Sequence, residues 1–372
     1  MATPAALMLA FSPFSGDASP NSMGLGHELL IQTENACGAF CLSSANVQFD
    51  NTLHASFSQA QAPQKRALAD ASIATKPIDV TTYNVSWHPF YDAVVSTGYR
   101  STARSAERST AGKVVKRMRA STQEIPLSVA TRPFEGFSIG GRFVVRNIEL
   151  KQETTAGALG KSDSYTVTAN RWSADALWQR SESTGYGVSY ISPTLNPMKA
   201  KSSNSAILAS AATPKWTDPQ EFSFSLAHFS SITPPAGVTF GPFENVFHAS
   251  VSAVTWETGS PTTYAALVTT NVGKDGWNLN DTSGQTNEYV FDTLDPSLSA
   301  SAGLESTWMR TALGSLSTMT HIRLNHLAAK TDSTGWQGGF GISLSTRYVS
   351  LQAATLLRDE DAGYAFSLSS SF

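Results

Sequence analysis

Charged residues are scarce in this chain. Asp, Glu, Lys and Arg make up 15% of its 372 residues, whereas soluble globular domains average about 25%. Ser, Thr, Ala and Gly replace the missing charge, and the mean hydropathy stays slightly negative at -0.15. Low charge without high hydropathy is typical of strands with one face in lipid and the other in water. The net charge of -3 gives no argument for a nucleic-acid partner.

Long apolar runs are also missing. No stretch approaches the roughly 18 to 20 apolar residues that a membrane-spanning helix needs. If this chain crosses a membrane, it must therefore do so with strands. Lipid offers no hydrogen-bond partners to the backbone, so spanning strands must close into a barrel.

Cysteine is nearly absent, with Cys37 and Cys41 as the two examples, in the segment CGAFC. Two cysteines make neither a disulfide framework nor the four-ligand set of a structural zinc site. In an oxidising compartment such as the periplasm they could form one local disulfide. The alternative is a pair of free, buried thiols.

Catalytic and metal-binding motifs are missing too. The seven histidines form neither HExxH nor HxH, and the five-residue spacing of His321 and His326 puts them on opposite faces of a strand. No GxSxG elbow is present. The sequence therefore predicts no metal site, no cofactor and no enzymatic activity.

The dominant pattern is an alternation of apolar with small or polar residues, which is the period of a strand. The polar positions hold mostly Ser, Thr, Asn, Gln and Gly. Aromatic residues lie near the predicted strand ends, where interface girdles would place them. The alternation is clearest at Tyr83, Val85 and Trp87, at Phe222, Phe224 and Leu226, and from Trp336 to Leu344.

Two kinds of connection separate the predicted strands. A Pro-Phe element is repeated at 88–92, 132–136 and 241–245. It predicts a short turn at each place, because the ring of Pro presets φ for a tight turn. Long polar connections are predicted at 100–123, 152–164, 193–219 and 271–288. Short periplasmic turns alternating with long external loops, and about fourteen strands, predict an all-β fold: a transmembrane antiparallel β-barrel.

The first fifty residues differ from the rest, because their alternation is weak and Gly, Ser, Pro and Asn are frequent. Residues 1–50 are therefore predicted to form an N-terminal plug in the lumen, and 51–372 the transmembrane barrel. Irregular backbone is tolerated in the lumen of a barrel, because it is buried in protein or lines a water-filled cavity there. The predicted localisation is the outer membrane, after export by a signal peptide that is absent from this chain.

Several hairpins resemble those of the FadL family of outer-membrane transporters for long-chain fatty acids and other hydrophobic compounds. The likeness is carried by PLSVATRPFEGFSIGGRF, RWSADALWQRSESTGYGVSYISP, DPQEFSFSLAHF and the terminal GYAFSLSSSF, with SMGLG near residue 25. Members of that family usually carry an Asn-Pro-Ala element before the first strand, where this chain reads CLSSANVQFD. The resemblance implies a plugged barrel but assigns no binding residues.

The chain ends on an aromatic strand. Such strands resemble the signal read by the barrel-assembly machinery, and a free edge ending in Phe would be an aggregation hazard for a soluble protein. The predicted assembly signal consists of Tyr364, Phe366, Leu368 and Phe372.

Three functions fit this reading. The preferred one is passive uptake of hydrophobic small molecules such as fatty acids. The alternative is a closed structural barrel that scaffolds a periplasmic or cell-surface partner, and the third is a membrane-embedded lipid enzyme. Expected partners are outer-membrane lipids and lipopolysaccharide, the assembly machinery, a hydrophobic ligand, and a protein partner or a second copy.

A basic stretch lies in the first predicted long loop. It could contact lipopolysaccharide phosphates, but a solvated loop is the favoured interpretation. Its members are Arg100, Arg104, Arg108, Lys113, Lys116, Arg117 and Arg119.

Overall fold

The structure is a computed structural model of the chain. It describes residues 40, 53–62, 73–75, 77–90, 92–110, 113–154, 161–181, 183–197, 199–203, 215–218, 220–233, 240–255, 263–264, 297–311, 313–327, 335–346, 348–358 and 361–371. Cys37, Cys41 and Phe372, and with them the predicted disulfide and part of the assembly signal, lie outside this set. Within these ranges no helix has the length and hydropathy to cross a bilayer.

Nearly all of the described chain is strand. Residues with alternating character extend because one set of side chains can then face lipid while the other faces the lumen. The strands are β1 His54–Ala62, β2 Ile73–Thr75, β3 Ile78–Phe90, β4 Ala93–Thr110, β5 Lys113–Phe134, β6 Phe137–Thr154, β7 Lys161–Ser181, β8 Thr184–Ile191, β9 Thr194–Pro197, β10 Lys199–Ser203, β11 Lys215–Asp218, β12 Gln220–Ser231, β13 Glu244–Thr255, β14 Thr263–Tyr264, β15 Ser297–Thr311, β16 Gly314–Leu327, β17 Gly335–Ser345, β18 Val349–Arg358 and β19 Asp361–Ser371.

Fourteen of these strands form a closed antiparallel barrel, which confirms the predicted fold class and strand number. Each strand pairs with its neighbour along the chain, and β19 closes the ring on β1, with Leu368 opposite Phe57. The remaining strands are short additions. Among them β2 pairs with β4, β10 pairs with β7, and β9, β11 and β14 form a separate three-stranded sheet.

The two ends of the barrel differ in their connections. One end, called here the short-turn end, carries the tight turns at Asp92, Gly136, Ser183 and Leu313. Gly136 has a φ of 75°, a conformation that costs glycine little. Pro89 and Pro133 lie in the last residues of β3 and β5, beside register shifts, rather than in the turns that follow. Pro has no N–H to donate to the ladder, which fits such irregular positions.

The opposite end, called here the long-loop end, has walls of unequal height. Strands β4 to β7 have 18, 22, 18 and 21 residues, whereas β12 and β13 have 12 each. The long loop predicted at 100–123 is therefore wrong, since these residues belong to β4 and β5. The loops predicted at 152–164 and 193–219 are wrong in part, because strand ends and the short β9, β10 and β11 lie within them.

Alternation along each strand separates an apolar outer face from a largely polar inner face. On β3 the side chains of Tyr83, Val85 and Trp87 are exposed, whereas those of Thr82, Asn84 and Ser86 are buried. The same alternation recurs around the ring. This is the reverse of a soluble protein, and it is the arrangement expected when lipid surrounds the outer face.

Candidate functional site: the lumen wall

Small hydroxyl side chains line one side of the lumen. Four buried serines are register partners on four successive strands, from β8 through β12 and β13 to β15. Two residues further along, on the same face, the hydroxyl oxygens of Ser250 and Ser301 lie 2.6 Å apart and share a hydrogen bond. This side of the lumen is therefore polar, and its side chains are small. The four serines are Ser189, Ser223, Ser252 and Ser299.

Charged groups occupy the wall formed by β4 to β7. Glu124 on β5 is the register partner of Arg100 on β4 and of Arg146 on β6, and it forms a buried ion pair with Arg100. Arg171 on β7 donates from its Nε to the backbone carbonyl oxygen of Ser192, where the chain leaves β8. Charges removed from water need such partners, because desolvation is costly. Their pairing fixes this wall in one arrangement.

The third side of the lumen is apolar. Six buried side chains form one cluster on β1, β3, β18 and β19. Pairing aligns part of the cluster in a row, in which Ala354 is opposite Ala365, Ala365 opposite Ala60 and Ala60 opposite Val80. This cluster, called here the apolar lumen patch, lies toward the long-loop end. Its members are Ala60, Ile78, Val80, Ala354, Leu356 and Ala365.

Gly341 and Met319 extend the apolar lumen patch onto β17 and β16. Gly341 is the register partner of both Met319 and Ala354. A Cβ on Gly341 would lie 2.9 Å from the Cε of Met319 and 3.2 Å from the Cβ of Ala354. Because Gly341 has no side chain, the flexible thioether of Met319 can lie over it. Met adapts well to irregular apolar surfaces of this kind.

One aromatic residue from the N-terminal fifty contacts the charged wall. Phe40 is 4% exposed, and the guanidinium carbon of Arg100 lies 4.8 Å from its ring centroid, as in a cation–π contact. A Cβ on Gly98 would come within 2.8 Å of the Cε2 of Phe40 and 2.4 Å of the carbonyl oxygen of Tyr83. Phe40 is thus seated where glycine leaves space on β4.

The β4–β5 ladder is interrupted beside this contact. Register partners pass from Thr97 and Leu127 to Arg100 and Glu124, leaving Gly98 and Tyr99 without partners on β5. Pro126 lies opposite this point and has no amide hydrogen to donate. The hydroxyl of Thr97 donates to the carbonyl oxygen of Pro126 over 2.9 Å instead. The wall is therefore less completely hydrogen-bonded at the Phe40 seat.

The described histidines lie on both faces of the barrel. His88, His248 and His321 are buried on the lumen side, and His54 lies edge-to-face against His88, with ring centroids 5.9 Å apart. On the outer face, His228 Nδ1 lies 3.2 Å from the hydroxyl of Thr184. Over the described ranges, no group of three or more His, Cys, Asp or Glu side chains could hold a metal ion.

The predicted assembly signal has three described members. Tyr364, Phe366 and Leu368 are exposed on the outer face of β19.

The basic stretch is divided between two faces. Arg100 is buried in the lumen, so its assignment to a solvated loop is wrong. Arg119 is exposed, and Arg117 forms an ion pair with Glu107 on the outer face.

The sequence interpretation missed the apolar lumen patch. Alternation assigns apolar residues to lipid and small residues to the polar face, so it places Ala365 with the serines of β19. The signal that could have revealed the patch is the presence of Val80 and Leu356 at positions whose parity places them on the lumen face.

Comparison with known proteins yields matches among solved structures. No protein-family model matches the chain, and no curated protein matches it. The toluene transporter TbuX of Ralstonia pickettii superposes with a TM-score of 0.58 at 9% identity, over 97% of this chain and 99% of that one. A FadL homologue of Pseudomonas aeruginosa (10% identity, 95% and 98% coverage) and the toluene transporter TodX of Pseudomonas putida (10%, 95% and 97%) both give 0.53. At such low identity these likenesses establish a shared fold.

Proposed function

We propose that this chain, which has the fold of the FadL-type outer-membrane barrels, is an outer-membrane channel for passive uptake of hydrophobic small molecules. The observation that carries the proposal is the apolar lumen patch. A barrel that only stiffened the membrane, or that passed sugars and ions, would gain nothing from Val80, Leu356 and Ile78 on its wet face. The fold of the toluene transporters supports the same class of cargo.

The orientation follows from the connections. Outer-membrane barrels have short periplasmic turns and longer extracellular loops. The short-turn end also holds the start of β1 and the end of β19, where His54 is opposite Ser371. We therefore assign the short-turn end to the periplasm and the long-loop end to the cell exterior. The apolar lumen patch then lies toward the exterior, where an entering ligand arrives first.

We also propose that residues 1–50 plug the lumen. Two observations support this. Phe40 is seated on the lumen side of β4, and small lumen-facing side chains such as Ser252 and Ala60 are buried, as they would not be in an open pore of fourteen strands. A hydrophobic ligand would then pass between the apolar lumen patch and the plug.

The cargo that fits is an uncharged or weakly amphipathic hydrophobic compound. Ala60, Ala354 and Ala365 project little, so they leave a flat apolar surface that suits either an acyl chain or a planar ring. Burial of apolar ligand area contributes about 25 cal/mol per Å². Fatty acids and monoaromatic hydrocarbons are therefore both candidates, and the test uses one of each.

The test replaces Val80 and Leu356 by polar residues. Val80→Thr combined with Leu356→Asn keeps side-chain volume nearly unchanged but places polar groups on the patch. The matched control is Val85→Thr, on the outer face of the same strand. Purified protein in lipid vesicles is assayed for entry of labelled toluene and of labelled oleate, with arabinose as a polar reference solute.

The expected result is that the double variant loses most of the uptake of at least one hydrophobic probe, while the control transports as the parent does. Equal uptake by both variants and parent would remove the patch from the pathway. Failure of the parent barrel to pass any probe, together with no lipid or hydrocarbon co-purified in mild detergent, would favour the structural alternative of a closed scaffold.

A further inference from the structure

One buried histidine on the lumen wall lacks a hydrogen-bond partner. His248 on β13 faces the lumen and is 0% exposed. Among the residues that the structure describes, neither of its ring nitrogens has a hydrogen-bond partner. A buried donor or acceptor that is left unpaired costs free energy. Such a group in a folded protein calls for an explanation, and a bound molecule is one.

A second unpaired group lies beside this imidazole. Two residues along β13 from His248 is Ser250, whose register partners are Ser225 on β12 and Ser301 on β15. Ser250 and Ser301 share a hydrogen bond, whereas the hydroxyl of Ser225, which is 1% exposed, has none within the described ranges. Ser225 and His248 are diagonal neighbours on one face, with about 7–8 Å between their Cα atoms, a separation that a ring side chain can bridge. One small ligand group can therefore contact both.

The positions around these two groups carry little or no side chain. His248 is the register partner of Ala227 on β12 and of Gly303 on β15. On β8, Gly187 is opposite Ser225. Ala227, Gly303 and Gly187 have the parity of lumen-facing residues on their strands. The wall is therefore recessed here, and these five residues are called the His248 recess.

The His248 recess has an apolar side and a polar side. Toward the short-turn end, the next lumen-facing pair consists of Val246 on β13 and Phe229 on β12. Val246 is buried and Phe229 is half-buried. Toward the long-loop end, the next pair is Ser225 and Ser250. An aromatic ring can therefore lie against Phe229 and Val246 while its polar substituent points toward the imidazole.

The charges beside the His248 recess favour an uncharged ligand. Glu305 is opposite Val246, and Arg323 is opposite Ser301. An anion would be attracted by Arg323 but repelled by Glu305, and a cation would meet the reverse. In its neutral form an imidazole has one nitrogen that donates and one that accepts, and a hydroxyl does both. The complementary ligand group is therefore also a donor and an acceptor, as is the hydroxyl of a phenol or an alcohol.

We propose that the His248 recess binds the hydroxyl group of a hydrophobic phenol or alcohol. The inference names a ligand class for the channel, and it rests on the proposed function. A hydrocarbon of the same shape would leave the imidazole and the hydroxyl of Ser225 unpaired, so it should bind less tightly.

The test measures binding of p-cresol, toluene and p-toluate to the purified full-length barrel by equilibrium dialysis in mild detergent. Micelles without protein give the partition of each labelled probe into detergent. The variants are His248→Phe, which keeps a ring but removes both nitrogens, and Ser225→Ala. Their matched controls are His88→Phe on β3 and Ser128→Ala on β5, both at buried lumen positions outside the recess. Heat-induced change in gel mobility verifies that each variant is folded. His248→Gln, which retains a donor and an acceptor, provides a second reading if the phenylalanine variant assembles poorly.

We expect the parent to bind p-cresol about tenfold more tightly than toluene after correction for partition, and more tightly than p-toluate. His248→Phe should remove this preference without changing the binding of toluene, and Ser225→Ala should reduce it. His248→Gln should keep part of it, and the two controls should keep all of it.

Equal binding of p-cresol and toluene by the parent would overturn the proposal. Tighter binding of p-toluate would also overturn it, since the site would then be one for anions. The same holds if His248→Phe keeps the preference, if it weakens toluene as much as p-cresol, or if the controls lose the preference as well.

Failure of this inference can be distinguished from failure of the proposed function, because dialysis requires no transport. A barrel that passes toluene into vesicles but binds p-cresol no better than toluene would keep the channel and lose the recess as a site. A barrel that binds p-cresol through His248 but passes no probe would keep the site and lose the channel.

Discussion

Gly98 and Phe40 lie so close together on the lumen wall that a Cβ on Gly98 would be 2.8 Å from the Cε2 of Phe40. The same Cβ would be 2.4 Å from the backbone carbonyl oxygen of Tyr83. The aromatic ring could move aside, but a carbonyl of the neighbouring strand cannot move without disturbing the β3–β4 ladder. Glycine at this position therefore serves both the wall and the N-terminal residue seated on it.

Gly98→Ala should accordingly destabilise the barrel by about 1–3 kcal/mol, the usual cost of overpacking. Urea unfolding in detergent, followed by tryptophan fluorescence, measures the change. Gly141→Ala is the matched control, because its Cβ would meet only the carbonyl oxygen of Ser173 at an ordinary 3.6 Å. Equal effects of the two substitutions would show that the close approach at Gly98 is relieved without cost.

Phe40→Ala should loosen the proposed plug. The substitution removes a buried ring and its cation–π contact with Arg100, which contributes about 1–2 kcal/mol when desolvated. In planar bilayers we expect more frequent or larger conductance steps than in the parent. Phe366→Ala, on the lipid-facing side of β19, removes a similar ring without touching the lumen. Unchanged conductance in the Phe40 variant would argue against a plug held at this point.

Arg100 and Glu124 should show strong coupling in a double-mutant cycle. Removing one partner of a buried pair leaves an uncompensated charge and costs about 3–5 kcal/mol. Arg100→Met with Glu124→Leu should be much closer to the parent, because both charges leave together. Glu124 also lies opposite Arg146, so Glu124→Leu alone should be the more damaging single change. If the effects of the two single substitutions on the unfolding free energy simply added up in the double variant, the predicted coupling would be contradicted.

The position of the bilayer can be tested on one strand. Leu127→Lys places a charge within the apolar belt and should cost about 2–4 kcal/mol, whereas Gln123→Lys at its edge should cost about 0–1 kcal/mol. Reversible unfolding from lipid vesicles measures both. Similar costs at the two positions would mean that the hydrocarbon layer extends beyond Gln123.

The terminal strand can be tested in cells. Phe372→Ala should lower the amount of folded barrel in the outer membrane, because Phe372 completes the predicted assembly signal with Tyr364, Phe366 and Leu368. Ser371→Ala is the control at the adjacent position. Membrane fractionation with heat-modifiability on gels gives the folded fraction. Equal levels of the two variants would remove Phe372 from the signal.

Much of the fold could be predicted from the sequence because lipid imposes a simple rule on each strand. Once one face must be apolar, period-two alternation at Tyr83, Val85 and Trp87 specifies both the strand and the side that faces outward. The same rule fails beyond the membrane. Arg100 to Gln123 carry no alternating apolar residues, so they read as a loop, although pairing continues there through β4, β5 and β6.

The lumen was harder to predict for a different reason. Which wall is charged and which apolar depends on register between strands that are far apart in the sequence. Ala60 meets Ala365 only because β1 closes the ring on β19, and Glu124 lies between two arginines only because three strands align at that level. No local pattern carries this information. The seat of Phe40 is likewise a tertiary contact across more than fifty residues.

The unequal height of the wall has a consequence at the cell surface. With 22 residues against 12, β5 reaches about 33 Å further along its own direction than β12 does. In the assigned orientation, the described ends of β4 and β5 would therefore stand further from the membrane than the described ends of β12 and β13. A bacteriophage or an antibody approaching an intact cell would therefore meet β4 and β5 before it met β12 and β13.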